Sequence, residues 1–417
     1  MMKPSRWIAI LMFCWGVVMT LMGIVSNRNG LYAARFFLGV AESGFFPAAT
    51  YLLTIWYKRY EVQKRMAVFY TAASLSGAFS GLLAFGIEHM EGINGLGGWQ
   101  WYVSTSARIF ILEGLVPVAL SLIIWKLLPD SPETASFLTE REREIIVNRL
   151  VMETGSGHGR VTNSDKINRK LILAAFKEPR IWGAWGNTIG TYGFTATVPT
   201  IIEELGYSSA NAQLLSIPIY VFAMLMVLIF AFWSEKVQQR SPFIMAGFAI
   251  AAVGFIGQLA IPHPGLPGLS YGFLFPVAAG LYCPFIQIVT WIGEYRREVW
   301  SVVRSLTSRL GNNLAPSSKR AVGMALLISV GNFGGIAGSN IFIAKQKPKY
   351  PAGFGTGLGI SIAAIIMAFV LRLSCRRENE RRRKMIEEEG EDAIRARYGD
   401  QQLLEMGDKS PFFIYTL

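Results

Sequence analysis

LYAARFFLGVAESGFFPAATYLLTIWY, residues 31–57, is an apolar run in which only Arg35 and Glu42 carry charge. The hydrocarbon core of a bilayer is about 30 Å thick and takes roughly 20 mainly apolar residues in one helix. A run of this length therefore predicts a helix that spans a membrane. Inside such a helix, two charged side chains are unusual enough to mark a site.

The rest of the chain repeats this pattern. Of its 417 residues, 52% are apolar and 16% are charged, whereas a soluble protein has about a quarter charged residues. The sequence therefore predicts an all-α membrane protein with about ten transmembrane helices. Their approximate limits are 7–25, 31–55, 66–88, 109–128, 181–202, 213–233, 242–261, 269–292, 321–344 and 354–373.

Positive charge is concentrated in alternate loops, which predicts how the chain is oriented. The segments rich in Lys and Arg are the loop with Lys58, Arg59, Lys64 and Arg65, the hydrophilic stretch 129–180, the loop with Lys236 and Arg240, the 293–320 loop and the tail from Arg372. The loops between them hold only Arg28, Arg108, Lys345, Lys347 and Lys349. Loops rich in Lys and Arg stay in the cytoplasm, so both termini are predicted to be cytoplasmic. This placement also explains the net charge of +12 without nucleic-acid binding.

A long hydrophilic stretch divides the predicted spans into four and six. We therefore predict a truncated N-terminal bundle at 1–128, a cytoplasmic loop at 129–180, a C-terminal six-helix bundle at 181–374 and a cytoplasmic tail at 375–417. Within the loop, Thr139 precedes Glu142 by three residues, the spacing of an N-terminal helix cap. It predicts a short surface helix.

Arg35 and Glu42 are the first candidates for chemistry. They stand seven residues apart, nearly two helical turns, so both project from one face about 10 Å apart, with Gly39 between them. One interpretation is that Arg35 attracts an anionic substrate while Glu42 carries a coupling proton. The alternative is that both make structural ion pairs or hydrogen bonds between helices. Either interpretation turns them away from lipid.

Further polar residues interrupt other predicted spans. Glu113 is a second candidate proton carrier, although pairing with a nearby basic residue explains it as well. The uncharged candidates for substrate binding are Asn187, Tyr192, Tyr220, Gln287 and Asn332. Asn332 lies among Gly331, Gly334, Gly335 and Gly338, and close helix packing explains these glycines as well as transport does.

WSEKVQQR, residues 233–240, ends a span with Glu235 and Arg240. Their spacing suits a gate or a helix cap, and equally an ordinary solvated turn. The cysteines and histidines are scattered, and the chain has no phosphate-binding glycine loop, so we expect no metal, no cofactor and no ATP-driven pump. No nucleophile and base are paired, which argues against an enzyme.

Several segments together resemble the anion:cation symporter family of the major facilitator superfamily, in the fungal branch of allantoate and nicotinate permeases. They are KPSRW (3–7), RFFLGVAESGFFPAATYLLTIWYKR (35–59), IFILEG (109–114), PTIIEELGYSSANAQLL (199–215), NNLAPSSKRAVGMALLISVGNFGG (312–335) and AKQKPKYPAGFG (344–355). The resemblance covers nearly the whole chain, through the order and spacing of these segments.

This resemblance implies a twelve-helix fold of two six-helix halves. It also implies secondary active uptake of a small organic anion, such as nicotinate, together with protons. Arg35 and Glu42 would then line the cavity of the N-terminal half. The expected setting is a monomer in the lipid bilayer of the plasma membrane. The alternative is a transport-inactive remnant or a sensor built on the same scaffold.

The chain departs from the family pattern in three places. KPSRW normally joins the second and third helices, so the first two helices are expected to be missing here. Residues 292–311 intervene where the family continues directly, and our hypothesis is translated intron sequence. Residues 102–108 likewise separate two segments that usually adjoin.

Overall fold

A computed structural model describes residues 3–25, 27–57, 59–88, 114–154, 179–237, 239–262, 265–293, 329 and 331–390, together with a few residues of the tail. Outside this part of the chain lie Glu113, residues 102–108 and residues 294–311. Contacts divide the molecule into two compact units, Met1–Tyr57 with Ser80–Val147, and Lys58–Phe79 with Asn148–Leu417.

The described residues form a series of helices. They are α1 Pro4–Met22, α2 Arg28–Glu42, α3 Phe45–Trp56, α4 Arg59–Glu88, α5 Gly114–Leu127, α6 Glu140–Thr154, α7 Pro179–Glu203, α8 Ser209–Val237, α9 Ser241–Ala260, α10 Pro267–Gly293, α11 at residues 331–341 and α12 Pro351–Glu389. Each of the ten predicted spans contains helical residues in its described part. Among the described residues, six helical stretches are long and apolar enough to cross a membrane.

The predicted span 31–55 falls on one membrane-length stretch, Arg28–Leu53, whose regular helical hydrogen bonding is interrupted once. The break falls at Ser43 and Gly44, directly after Glu42. Pro47 explains it, since proline lacks the N–H that would bond to the carbonyl of Ser43 and its ring crowds that carbonyl. Arg35 and Glu42 therefore share α2, and Glu42 is the last residue of that helix.

In the first unit, small residues bring α1 and α5 together. A Cβ atom at Gly16 would lie 2.6 Å from the carbonyl oxygen of Gly114, so the two backbones nearly touch. The backbone N–H of Ser5 donates to Oδ1 of Asp130 over 3.0 Å, which fixes the start of α1 against the chain that follows α5. The linker helix α6 begins as predicted: Thr139 and Glu142 exchange hydrogen bonds across its first turn.

The second unit contains α4 up to Phe79 as well as α7 to α12. This grouping by contact differs from the predicted division at residues 128 and 180, which stays a prediction. Its core is apolar and fully buried. Members of this core include Phe194, Ile201, Ile219, Phe255, Leu274 and Phe354.

Glycines bring α7 and α11 into backbone contact in this unit. A Cβ atom at Gly338 would lie 2.5 Å from the carbonyl oxygen of Ile189, and one at Gly193 would lie 2.7 Å from the carbonyl oxygen of Gly338. The predicted close packing of the glycine-rich segment is therefore confirmed. Beyond the helix ends, Lys347 Nζ lies 2.6 Å from Glu204 Oε1, so two segments that carry the family resemblance are joined by an ion pair.

Candidate functional site

Four tyrosines from four helices of the second unit form a cluster, called here the tyrosine cluster. Its members are Tyr70 on α4, Tyr192 on α7, Tyr220 on α8 and Tyr282 on α10. The ring of Tyr282 is 6.2 Å from that of Tyr70 and 6.4 Å from that of Tyr220, measured between centroids. Phe285 stacks on Tyr70 at 4.9 Å. Such offset and edge-on arrangements are the favourable ones for aromatic pairs.

Hydrogen bonds attach the cluster to α7 and α11. The hydroxyl groups of Tyr282 and Thr195 lie 3.2 Å apart, and the Tyr220 hydroxyl donates to the carbonyl oxygen of Thr195 over 3.4 Å. The Tyr192 hydroxyl donates to Oδ1 of Asn332 over 3.0 Å. The polar groups of this cluster are therefore neutral hydroxyls, an amide and a backbone carbonyl.

Two more polar side chains are buried in the helices that form the cluster. Asn187 on α7 is 1% exposed and Ser74 on α4 is fully buried. Within the described part of the chain, neither the Asn187 amide atoms nor Ser74 Oγ has a hydrogen-bond partner. A buried polar group without a partner costs about 1–3 kcal/mol. Both groups therefore carry an unsatisfied polar atom within the described part of the chain.

Ser74 belongs to the cluster by its place on α4. It lies one turn after Tyr70, and Gly77 lies nearly one turn further on. A Cβ atom at Gly77 would lie 3.3 Å from the ring of Tyr220, so this face of α4 packs on the tyrosines. Glycine at 77 lets the Tyr220 ring approach the α4 backbone.

The predicted candidates of the second half are only partly brought together. Tyr220 and Asn332 take part in the cluster through Thr195 and Tyr192. Gln287 does not, because its Oε1 lies 3.1 Å from the hydroxyl of Ser234 near the end of α8. Sequence reasoning missed Tyr70, Ser74 and Tyr282, and the one local signal for them is a polar atom within an apolar run.

Glu235 and Arg240 do not pair with each other. The Arg240 side chain is fully buried, and its guanidinium donates to Ser234 Oγ over 2.9 Å. Glu235 instead forms an ion pair with Lys64 of α4, with Nζ and Oε2 3.1 Å apart. The Lys64 ammonium also lies over the ring of Phe232. The two predicted gate residues thus belong to neighbouring but separate contacts.

In the first unit, Arg35 and Glu42 are both exposed on α2. A Cβ atom added at Gly39, between them, would meet open space. For the described residues, the structure records no hydrogen bond or ion pair to either side chain. The same residues contain no group of three His, Cys, Asp or Glu side chains placed to hold a metal.

Six helical stretches of membrane length among the described residues define a multi-pass membrane protein. The chain belongs to the Major Facilitator Superfamily, whose family model matches residues 2–311. It is therefore an integral multi-pass membrane protein and a membrane transporter.

Two curated fungal relatives align with nearly the whole chain. "MFS-type transporter cnsO" of Penicillium expansum is 30% identical, covering 99% of this chain and 76% of that protein. "High-affinity nicotinic acid transporter" of Saccharomyces cerevisiae is 26% identical, covering 99% and 71%. Both relatives are named as transporters.

Solved structures show the same fold at low sequence identity. The human organic anion transporter MFSD10 is 14% identical with a TM-score of 0.57, covering 88% of this chain and 77% of that chain. The proton:xylose symporter XylE bound to 6-bromo-6-deoxy-D-glucose is also 14% identical, with a TM-score of 0.58, covering 88% and 79%. These likenesses concern the arrangement of helices alone.

Proposed function

We propose that this transporter imports a small organic carboxylate, nicotinate or a related anion, together with protons. It would be a member of the anion:cation symporter family, in the allantoate and nicotinate permease branch, and would work in the plasma membrane with both termini cytoplasmic. The relative named as a nicotinic acid transporter supports the substrate class.

The observation that carries the proposal is that Arg35 and Glu42 are exposed and that no described residue forms a hydrogen bond or ion pair with either side chain. Charged groups within an apolar helix are costly against lipid, and binding of substrate and proton accounts for their presence. In the proposed mechanism, Arg35 binds the carboxylate of the substrate, because a guanidinium matches the two oxygens of that group. Glu42 takes and releases the coupled proton. Glu113 is kept as a second proposed proton carrier.

The second unit contributes neutral contacts in this proposal. Asn187, Tyr220 and Asn332 are the proposed substrate-binding residues of that unit, since amide and hydroxyl groups bind a ring nitrogen or a carbonyl without charge. The aromatic side chains suit a planar ring. Gln287 would support the end of α10 beside Ser234, and Glu235 and Arg240 would act in closing the cytoplasmic end through Lys64 and Ser234.

Uptake of labelled nicotinate by cells that express the full chain tests the proposal. Wild-type uptake should rise in acidic medium. Arg35→Ala should raise the KM for nicotinate strongly, and Glu42→Gln should remove the dependence on external pH. The matched control is Arg28→Ala, which removes an exposed arginine at the start of the same helix, where its Nε donates to the Tyr32 hydroxyl.

Each alternative has its own outcome in this assay. Uptake that stays pH-dependent in both variants would remove the assigned roles of Arg35 and Glu42. Binding of nicotinate to the purified wild-type chain without any uptake would favour the sensor. Neither binding nor uptake of nicotinate, allantoate or pantothenate would favour the inactive remnant.

A further inference from the structure

α12 continues far beyond its membrane-spanning part. It is a single helix of 39 residues, Pro351–Glu389, and its apolar sequence ends near Leu373. From there to Glu389 the helix runs on for about 24 Å at 1.5 Å per residue. The residues just after Leu373 therefore stand on a continuous helix at the level of the lipid headgroups.

One face of α12 is exposed along both the apolar segment that ends at Leu373 and the segment that continues to Glu389. Its apolar members Ile362, Ile366 and Val370 are 46%, 58% and 56% exposed. Residues three or four positions apart lie on the same side of a helix. At this spacing, Leu373 and then exposed basic side chains continue the same face. We call this face the outer stripe: Ile362, Ile366, Val370, Leu373, Arg377, Arg381 and Lys384.

The opposite face of the same helix is packed. It is buried in the membrane-spanning part and stays buried beyond Leu373, where Cys375, Asn379 and Arg382 are only 5–6% exposed. The helix is therefore held in place on its inner side, before and after it leaves the bilayer. The outer stripe is the side that remains open.

The charges near the stripe favour an anionic partner. The segment RRENERRRK, residues 376–384, has six basic and two acidic side chains. Both acidic groups already have partners within the helix: Glu380 pairs with Arg376 at 3.0 Å and Glu378 with Arg382 at 2.9 Å. Glu378 is also 3.8 Å from Arg381, whose side chain is 73% exposed. Residues 376–384 of the stripe region therefore have excess positive charge, and Glu387, Glu388 and Glu389 follow at the end of the helix farthest from the apolar part.

We propose that the outer stripe is a binding site for an anionic glycerophospholipid. An acyl chain would lie along Ile362, Ile366 and Val370, and the phosphate headgroup would contact the basic residues at the end of the stripe. Clusters of Lys and Arg directly beyond a transmembrane helix attract anionic lipids. A zwitterionic lipid satisfies the apolar part equally but gains no net charge attraction, so the site distinguishes between lipids by their headgroups.

Native mass spectrometry of the purified full chain tests this site directly. Phosphatidylserine and phosphatidylcholine with identical acyl chains are added, and bound lipids are counted. The triple variant Arg377→Gln, Arg381→Gln, Lys384→Gln should lose most of the preference for phosphatidylserine. At about 5-fold per basic residue, the expected loss is ~100-fold at low ionic strength.

A matched control removes the same charge elsewhere. The triple variant Lys236→Gln, Arg376→Gln, Arg397→Gln changes three exposed basic residues off the stripe and should keep the preference. The charge-conserving variant Arg377→Lys, Arg381→Lys should keep it too, which guards against loss through misfolding. If both triple variants lost the preference for phosphatidylserine equally, or if the stripe variant kept it, the proposed lipid site would be wrong.

A further arm distinguishes a lipid from a soluble phosphate. Glycerophosphoserine carries the same headgroup without acyl chains. If it displaces bound phosphatidylserine at equal concentration, the apolar half of the stripe contributes nothing and the lipid assignment is wrong. We expect no displacement, because the acyl chain supplies part of the binding.

Discussion

Tyr192 on α7 donates its hydroxyl to Oδ1 of Asn332 on α11 over 3.0 Å. The Tyr192 side chain is 46% exposed and Asn332 is exposed as well, so this bond is open to exchange with a ligand. It joins the two helices that Gly193 and Gly338 hold in contact. In the proposed site, the Tyr192 hydroxyl is therefore within reach of a substrate and can donate a hydrogen bond to it.

Tyr192→Phe should raise the KM for the transported anion about 3–10-fold, the effect of losing roughly one hydrogen bond. Stability should hardly change, because the bond is exposed. The comparison variant is Tyr271→Phe, whose hydroxyl donates to the carbonyl oxygen of Leu215 over 2.8 Å. That variant should lower the melting temperature in detergent and leave KM unchanged. Equal KM values in wild type and Tyr192→Phe would separate this bond from substrate binding.

Asn187→Leu should stabilise the ligand-free protein while abolishing uptake. The Asn187 amide is buried without a partner among the described residues, so replacing it with an apolar group removes a desolvation cost of about 1–3 kcal/mol. Thermal unfolding in detergent and an uptake assay measure the two effects. A destabilised variant would show that the amide has a partner in the ligand-free state.

Gln258→Leu is the matched control for this experiment. Gln258 is as buried as Asn187, but its amide donates to the carbonyl oxygen of Ser270 and accepts from the Ser270 hydroxyl. The same change should therefore destabilise the protein by about 1–3 kcal/mol, since it removes both hydrogen bonds that this buried amide forms with Ser270.

Gly338→Ala should destabilise the second unit. The added methyl group would lie 2.5 Å from the carbonyl oxygen of Ile189 and 2.9 Å from the backbone nitrogen of Gly193, and separating two helix backbones costs about 1–3 kcal/mol. At Gly359, also within a helix, an added Cβ meets nothing within 4 Å. Gly359→Ala should therefore be neutral or slightly stabilising. Similar melting temperatures for both variants would contradict the close approach of α7 and α11.

Reversing the charges of Lys64 and Glu235 tests their proposed role in closing the cytoplasmic end. Lys64→Glu and Glu235→Lys should each slow uptake a few-fold, and the double variant should recover most of the rate. The side chains are 41% and 18% exposed, and such pairs contribute about 0.2–1 kcal/mol. Lys236→Glu, at the next and exposed position, should have no effect. Additive losses in the double variant would rule out a functional pair.

Glu142 should make the first turn of α6 sensitive to acid. Its carboxylate accepts hydrogen bonds from the backbone N–H and the hydroxyl of Thr139 at 3.0 and 2.8 Å, and these bonds hold its pKa below the usual glutamate range. Because the folded-state pKa is the lower one, the stabilisation is complete above the ordinary glutamate pKa and is lost as the pH falls through the folded value.

Hydrogen exchange of the amides in the first turn of α6, measured on the full chain, checks this. The protection of these amides against exchange should decrease on acidification, after correction for intrinsic exchange rates. Glu142→Gln should be less protected already at neutral pH and lose the acid response, whereas Glu144→Gln should retain it. An unchanged response in Glu142→Gln would assign the effect to another group.

Sequence alone predicted the positions of the helices because a bilayer imposes a minimum apolar length on each span. The single span 31–55 was predicted, but the interruption of its hydrogen bonding between α2 and α3 was not, although Pro47 lies beside it. Pro218 and Pro276 each lie inside a single helix, so a proline by itself does not distinguish a break from a tolerated bend.

The site was harder to predict because its contacts join distant parts of the chain. Tyr220 and Asn332 stood out as polar residues in apolar runs. Tyr70 and Ser74 carry the same local signal but were not selected, since α4 acquires its role only by packing on helices more than a hundred residues later. Glu235 and Arg240 are five residues apart, yet each has its partner elsewhere. Local spacing cannot reveal these pairings.

The unbroken length of α12 has a mechanical consequence. A rigid helix acts as a lever arm, so any rocking of its membrane part is amplified at the far end. With about 24 Å between Leu373 and Glu389, a tilt of roughly 10° would displace Glu389 by about 4 Å. A spin label near Glu389 would therefore report on conformational changes inside the membrane from a position in water.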